Sequence, residues 1–389
     1  MSKTILVLGA GTGGIITAKE LNKKIGNDGG VNPVKIILFE KEVKNVFAPS
    51  LLWLMVGKRK PHQVYRNTNK LAGAGIEVVI GEIENVNPEN ITVIVKGKEY
   101  KGDYMIISLG AEQTPEHNLS KFGFDFYTLE GAAAFNEKLK SFKGGKIAVL
   151  VPSLPFKCPA APYEAAMLIA SFIRSKGLSS KTEISLYTPE PGPMGVAGKE
   201  LSGAVRQMVE MKGIKFFSEY QLTAASASDK TLTFGNGKTT EYDLLTYTPK
   251  HQCPTVISKT NLIGKSGWIE TNRNTMETQF PNVYAIGDIT FIPLEMGKPL
   301  PKAGVFAHYQ AKTVAHNIAQ KIYGNSDKNR DKTFNGEGQC FLEIGNGKAG
   351  YAGGNFYGSP LPIVKMKKPG YFWHWTKVWF EKYWWFKYF

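Results

Sequence analysis

The stretch Lys3-Thr-Ile-Leu-Val-Leu-Gly-Ala-Gly-Thr-Gly-Gly-Ile-Ile-Thr-Ala-Lys-Glu-Leu21 decides the fold. After Lys3, its next five residues are β-branched or aliphatic, and Lys3 to Leu8 reads as a buried strand. Gly9-x-Gly11-x-x-Gly14 then makes a tight turn, and a helical run follows from Ile15 to Lys24. The first glycine of such a turn lets the chain reverse. The second lets a pyrophosphate approach the backbone, and the third lets the helix pack on the sheet with its N-terminus facing the phosphates. A Gly/Asn/Pro-rich loop over 26–33 leads to a second apolar strand, Val34 to Phe39. That strand ends at Glu40, an acid placed to accept hydrogen bonds from a ribose diol, with Lys41 beside it. Glu40 rather than a base argues against a 2′-phosphate at this site.

Further strands are expected at Glu77–Ile80, Ile91–Val95 and Tyr104–Ser108, the last closing on Gly110-Ala111. Near the chain's other end, Val283-Tyr-Ala-Ile-Gly-Asp288 delivers a Gly-Asp pair from an apolar strand. Pro301-Lys-Ala-Gly304 and a long helix to about Ile322 come next. This is the arrangement by which two-dinucleotide flavoproteins hold FAD. Gly287 and Asp288 meet the ribityl or pyrophosphate portion, and the helix from Gly304, with Lys302, stabilises charge on the reduced flavin.

A second strand–turn–helix unit opens at Lys146-Ile-Ala-Val-Leu-Val151 and reaches a helix from about Tyr163 to Ser175, then a strand from Glu183 to Tyr187. Its turn is Val151-Pro-Ser-Leu-Pro-Phe-Lys-Cys-Pro-Ala-Ala-Pro162, where bulky and Pro-fixed residues replace glycine. Such a backbone does not close on an NAD(P) pyrophosphate. In place of the glycines stands Cys158, beside Lys157 and close to a helix N-terminus, two features that favour thiolate. Glu164, six residues on, is placed to give or take a proton. The remaining cysteines, Cys253 and Cys340, form no CxxC pair with it, and the six histidines show no ligand spacing, so no metal site is expected.

The fold class expected is therefore α/β, with two Rossmann-like dinucleotide-binding domains in tandem plus a C-terminal amphipathic helical membrane-anchoring region. Residues 1–112 and 260–326 make a discontinuous FAD-binding domain. Residues 113–259 form the second Rossmann-like domain with a degenerate NAD site carrying Cys158, and 327–389 carry Cys340 and the anchor.

The 389 residues hold 48 Lys+Arg against 33 Asp+Glu, a net charge of +15, which calls for an anionic partner. No nucleic-acid-binding motif is present. Part of the excess lies near the C-terminus, where Lys365, Lys367 and Lys368 precede Tyr371–Phe389, a segment in which twelve of nineteen residues are aromatic. Read as a helix, Phe372, Trp375, Trp379, Tyr383 and Phe386 form one stripe, with His374, Lys377 and Glu381 opposite. Trp and Tyr favour the headgroup region of a bilayer and lysines favour anionic lipid. No secretory signal and no apolar run long enough to span a bilayer is seen, and three cysteines do not make a disulfide-stapled scaffold. The expected setting is peripheral or monotopic, on the cytoplasmic face of the cell membrane. A homo-oligomer is compatible with this reading.

With these residues in view the chain resembles the sulfide:quinone oxidoreductase family. The resemblance is carried by Gly9–Gly14 and Glu40, Phe47-Ala-Pro-Ser-Leu-Leu-Trp53, Phe156-Lys-Cys-Pro-Ala-Ala-Pro-Tyr-Glu164, Ile286-Gly-Asp288, Pro301-Lys-Ala-Gly-Val305 and Cys340-Phe341. It implies a redox pair, Cys158 with Cys340, attacked by sulfide as a disulfide or trisulfide. One sulfur then adds to flavin C4a, and the electrons pass to a membrane quinone. It further implies that Gly9, Gly11, Thr12, Gly14, Glu40, Lys41, Pro49, Ser50, Gly110, Gly287, Asp288, Lys302 and Gly304 surround FAD. Phe341, Phe372 and Trp375 would line the quinone pocket. Many family members carry a third cysteine upstream, and Gln113 to Glu130 has none; Cys253 falls outside the matched redox positions and is expected to be a buried bystander. The competing readings are a type II NADH:quinone oxidoreductase, which needs the missing glycine turn after Val151, and a flavin-binding sensor without turnover.

Overall fold

The computed structural model describes residues 2–25, 34–114, 116–324 and 331–389; the loop expected over 26–33 lies outside them. The strand–turn–helix–strand reading of the N-terminus becomes Lys3–Leu8, helix α1 (Thr12–Ile25) and Val34–Glu40. Those two strands pair in parallel, Ile5 opposite Ile36 and Leu8 opposite Phe39. The sheet has five strands in the order Val283–Ala285, Tyr104–Ile107, Lys3–Leu8, Val34–Glu40, Ile76–Ile80, and every pairing is parallel. Unbroken apolar runs suit strands covered on both faces. One face carries Ile5, Val7, Ile36 and Leu38 against α1 and α7; the other carries Leu6, Leu8, Phe39 and Met105 against Ile257, Trp268 and Ile269. The first sheet is thus assembled from both ends of the chain, which brings Gly287-Asp288 beside the first glycine turn.

A second parallel sheet runs Phe124–Asp125, Leu244–Tyr247, Gly145–Leu150, Thr182–Tyr187, Ile214–Phe217. Helices α2 (Leu51–Met55), α3 (Leu129–Ser141), α4 (Ala161–Ser175) and α5 (Lys199–Glu210) contribute to the core on one of its faces. A short α6 (Thr255–Ser258) leads back to the first sheet, and α7 (Gly304–Ile322) packs on α1. The last segment is an antiparallel sheet of Glu337–Gly345, Lys348–Asn355 and Ile363–Gly370, followed by α8 (Tyr371–Tyr388). Among the described residues no helix is long and apolar enough to cross a membrane.

The orientation of α8 differs from the usual arrangement of a surface helix. Phe372, Trp375, Trp379 and Phe386 are 68, 66, 61 and 87 % exposed, whereas Lys377 and Glu381 are 6 and 5 % exposed. Its charged stripe faces the protein and its aromatic stripe faces outward. Trp384, Trp385 and Tyr388 close the buried side, and Phe47 meets both tryptophan rings at under 6 Å.

Candidate functional site

The first glycine turn is as tight as its spacing implies. Gly9 has φ +95°, and a Cβ on Gly14 would lie 1.8 Å from the Gly9 carbonyl oxygen, so α1 approaches the strand only because both positions lack side chains. Above Gly11 there is open space, and a Cβ on Gly304 at the start of α7 would lie 3.5 Å from Thr12 Oγ1. Two helix N-termini therefore converge on the same turn, a setting that favours phosphate. Glu40 Oε2 accepts from the Ala10 amide at 2.8 Å and Oε1 from the Lys41 and Glu42 amides at 2.8 and 3.1 Å. Its carboxylate is thus fixed by three backbone donors and keeps acceptor capacity for one more group. Gly287, at φ +77°, donates its N–H to Gln310 Oε1 at 2.7 Å. Gln310 is a buried second support that no motif had marked.

Asp288 carries the clearest sign of a ligand. Its Oδ1 is buried and has no hydrogen-bond partner, and burial pushes its carboxyl up from the ordinary range. A hydroxyl donor aimed at Oδ1 would relieve that cost, so the residues present fit a ribitol- and pyrophosphate-bearing cofactor. Lys302 is less free than expected. Its Nζ donates to the Asp288 and Thr290 carbonyls at 2.6 and 3.2 Å and lies over the Trp268 ring, and burial lowers its pKa to about 8.

Lys302 also links this half of the site to the cysteine turn, because its carbonyl accepts from the Cys158 amide at 2.7 Å. Cys158 sits at φ +55°, a left-handed conformation costly for a residue with a Cβ. Its carbonyl accepts the Ala161 amide and so starts α4. Cys340 arrives from a remote segment, the strand Glu337–Gly345, where it pairs with Ala352. The two thiols and Glu164 act on one another electrostatically. Cys158 is open to solvent at its surface yet lies deep among protein atoms, and the expectation of a low thiol pKa is not met. Burial pushes both thiols up to about 12, Glu164 adds to the rise, and Lys377 opposes it. The helix N-terminus and Lys157 do not overcome desolvation here.

Two buried charges, Glu164 and Lys377, act on the thiols, and Glu343 and His374 adjoin them. Lys377 Nζ donates to Glu164 Oε1 at 2.8 Å, and the Glu343 amide donates to the same oxygen at 2.8 Å. His374 Nδ1 lies 2.8 Å from Glu343 Oε1. Burial raises the Glu164 carboxyl; it opposes the charge on Lys377, but Glu164 and Glu343 outweigh it and hold that ammonium above its usual value. On the next turn, Arg59 Nη2 donates to Glu381 Oε2 at 2.6 Å and Ser50 Oγ to Glu381 Oε1 at 2.5 Å. Ser50 is thus turned toward α8. Trp53 lies between Arg59 and Lys377, 4.5 and 5.2 Å from its ring. The role of Lys377 was not visible in the sequence, where it reads only as part of the stripe opposite the rings.

Phe341 packs edge-on against Tyr351, which stacks on Trp373 of α8 at 4.6 Å, while Phe372 and Trp375 point outward. Pro49 and Lys41 are exposed, and Gly110 has φ +70° with nothing near its missing Cβ. Cys253 is buried, its thiol pushed up to about 12 by burial, in the core with Trp268 and Ile257. Two strand residues before it, His251 is 2 % exposed, and neither ring nitrogen has a hydrogen-bond partner at good geometry, although the Pro249 carbonyl is nearby.

Residues 132–249 match the family described as sulfide dehydrogenase (flavocytochrome c) flavoprotein chain, central. The sulfide-quinone reductase of Aquifex aeolicus (strain VF5) is 26 % identical over 412 aligned positions, covering 98 % of this chain and 90 % of that one. The mitochondrial sulfide:quinone oxidoreductase of Mus musculus is 24 % identical over 307 positions, covering 74 % of this chain and 66 % of the mouse enzyme. The chain is similar to sulfide:quinone oxidoreductases over almost its whole length. Its fold is that of the crystal structure of the sulfide:quinone oxidoreductase from Aquifex aeolicus, with a TM-score of 0.85 at 24 % identity over 99 % of this chain and 91 % of that one. Within the sulfide:quinone oxidoreductase frame, the thiols, Glu164 and the orphaned Asp288 oxygen occupy one continuous region joined by the Cys158–Lys302 backbone bond.

Proposed function

We propose that this chain is a flavoenzyme that oxidises sulfide to polysulfide or sulfur and reduces a membrane quinone. The observation that carries the reading is the meeting of Cys158 and Cys340, 182 residues apart in sequence, beside a proton-accepting carboxylate and next to a cofactor cradle. FAD, when bound, supplies a two-electron acceptor that can be reoxidised. It would be held by the turn from Gly9 through Thr12 to Gly14, by Glu40 and Gly110, and by Gly287, Asp288, Lys302 and the start of α7 at Gly304.

The raised thiols fit a role in which external sulfide is the nucleophile and the cysteine pair is the target. Hydrosulfide attacks the Cys158–Cys340 disulfide. A new S–S bond forms to one cysteine, and the other leaves as a thiolate stabilised by Lys377, the cation that lowers the pKa of both thiols. Glu164, with its raised carboxyl, takes the proton. The exposed aromatic stripe of α8, with Lys365, Lys367 and Lys368 just upstream, serves as a monotopic anchor on the cytoplasmic membrane face. Phe341, Phe372 and Trp375 receive the quinone from the lipid. Anaerobic spectroscopy tests the reading: sulfide bleaches the flavin and a quinone restores it, whereas an oxidised spectrum unchanged by sulfide refutes it.

A further inference from the structure

We infer that His251 is a positioning residue for the cofactor: one of its ring nitrogens accepts a hydrogen bond from a hydroxyl of the FAD ribityl chain, beside Asp288. None of the motifs that mark the cofactor cradle contains this histidine. The inference rests on the assignment of FAD and not on the sulfide chemistry.

His251 lies where the two parallel sheets are joined. The short strands Glu112–Thr114 and Lys250–Gln252 run antiparallel between them, with His251 opposite Gln113. Gln113 follows closely on Gly110, which has open space where its Cβ would stand. The imidazole packs on the Tyr127 ring at 5.2 Å, and the Tyr127 hydroxyl donates to the Lys157 carbonyl at 2.8 Å. The ring is thereby held against the segment that presents Cys158, whose amide is bonded to the Lys302 carbonyl.

The imidazole is 2 % exposed, and both of its nitrogens lack a hydrogen-bond partner. A neutral ring carries one N–H and one lone pair. The Pro249 carbonyl is the acceptor nearest to hand for the N–H, which leaves the other nitrogen as a buried lone pair. Burial, with Lys157 and Lys302 adding to it, holds the ring neutral, so that lone pair persists and calls for a donor.

The same two lysines act on Asp288, whose Oδ1 is also buried without a partner. Neither ammonium supplies the missing bond. Lys302 Nζ is committed to the Asp288 and Thr290 carbonyls, and Lys157 makes no hydrogen bond to either orphaned atom. Two buried acceptors flanked by one pair of cations match a chain of adjacent hydroxyls. A phosphate or carboxylate does not match them, because it has no hydrogen to give.

The test uses the FAD-loaded protein. His251→Phe keeps a ring against Tyr127 but removes the acceptor, and FAD should then dissociate roughly 5- to 150-fold faster on dilution, the effect of leaving a buried hydroxyl unsatisfied. His251→Asn, whose side chain again offers an acceptor, should recover most of that loss, which a packing defect would not allow. The flavin reduction potential should stay at the parent's value in both variants, because the bond is made to the ribityl chain and not to the ring. Release of FAD from His251→Phe at the parent's rate overturns the inference. A shifted potential overturns it too, since the nitrogen would then meet the isoalloxazine ring. If His251→Phe does not fold, His251→Leu removes the acceptor in its place. Sulfide bleaching is read separately, so a failure of the sulfide chemistry in a parent that holds FAD is distinguishable from a failure of this assignment.

Discussion

Lys377, on the C-terminal helix, donates a 2.8 Å hydrogen bond to Glu164, on the helix that follows the cysteine turn. A residue of the aromatic tail thereby sets the charge balance beside Cys158 and Cys340. Removing one partner of a buried pair strands the other, at a cost of about 3–5 kcal/mol. Lys377→Met should lower the thermal midpoint of the flavin-loaded protein clearly. The double variant with Glu164→Gln should recover much of the loss, because no buried charge is left alone. Additive losses in that double-mutant cycle would show that the pair does not couple.

Cys158→Ser and Cys340→Ser should each slow sulfide-dependent flavin bleaching by roughly three orders of magnitude or more, the scale seen when a covalent group is removed. Both should retain flavin. In the reduced parent, alkylation of these thiols by iodoacetamide should be slow at neutral pH and climb toward pH 12, since both thiols are pushed up to about 12. Equal bleaching rates in both serine variants would remove the cysteines from the reaction.

Gly14→Val places a branched side chain where even a Cβ would lie 1.8 Å from the Gly9 carbonyl. Asp288→Ala removes the orphaned Oδ1. A hydrogen bond to a charged group contributes about 1.5–3 kcal/mol, so Asp288→Ala should weaken FAD retention by roughly 10- to 150-fold. Gly14→Val should carry almost none. The ratio of protein to flavin absorbance after gel filtration reads both.

Burial lowers His251 to about 3, with Lys157 adding to the effect. Its neutral form is favoured in the fold, so the stability tied to it is complete above about pH 6.5 and is lost as pH falls toward 3. His251→Phe should flatten the fall in stability across that window by about one proton. An unchanged slope in urea melts would place the acid sensitivity elsewhere.

The double variant Trp379→Ser with Phe386→Ser should leave flavin bleaching by sulfide intact but weaken liposome association at least ~100-fold. Each large ring buried in lipid contributes on the order of 1.5–3 kcal/mol. Co-sedimentation with anionic vesicles measures it, and unaltered partition would exclude the stripe as the anchor.

The glycine turns were legible because Gly9, Gly14 and Gly287 occupy conformations or contacts that few other residues permit. Helix α7 runs Gly304–Ile322, as read from its flanking residues. The stripe of Phe372, Trp375, Trp379 and Phe386 was also legible from spacing alone. The burial of the charged side opposite it was not. A helical wheel separates Lys377 and Glu381 from the rings, but their partners Glu164 and Arg59 lie more than two hundred residues away, and no local pattern announces them. The Cys158 thiol failed for a similar reason. A neighbouring lysine and a helix N-terminus are sequence features, whereas desolvation is a property of the assembled fold.

The inward-facing charges of α8 bear on how its exposed aromatic stripe can be removed. Truncation after Pro369 would take away the aromatic rings, but it would also leave Glu164, Glu343 and Arg59 facing a hole without counter-ions. A variant without the rings is better sought by repainting the outer stripe with polar residues while every inward residue of α8 stays in place. The tail behaves less like a detachable tether than like a plug whose outer face happens to be greasy.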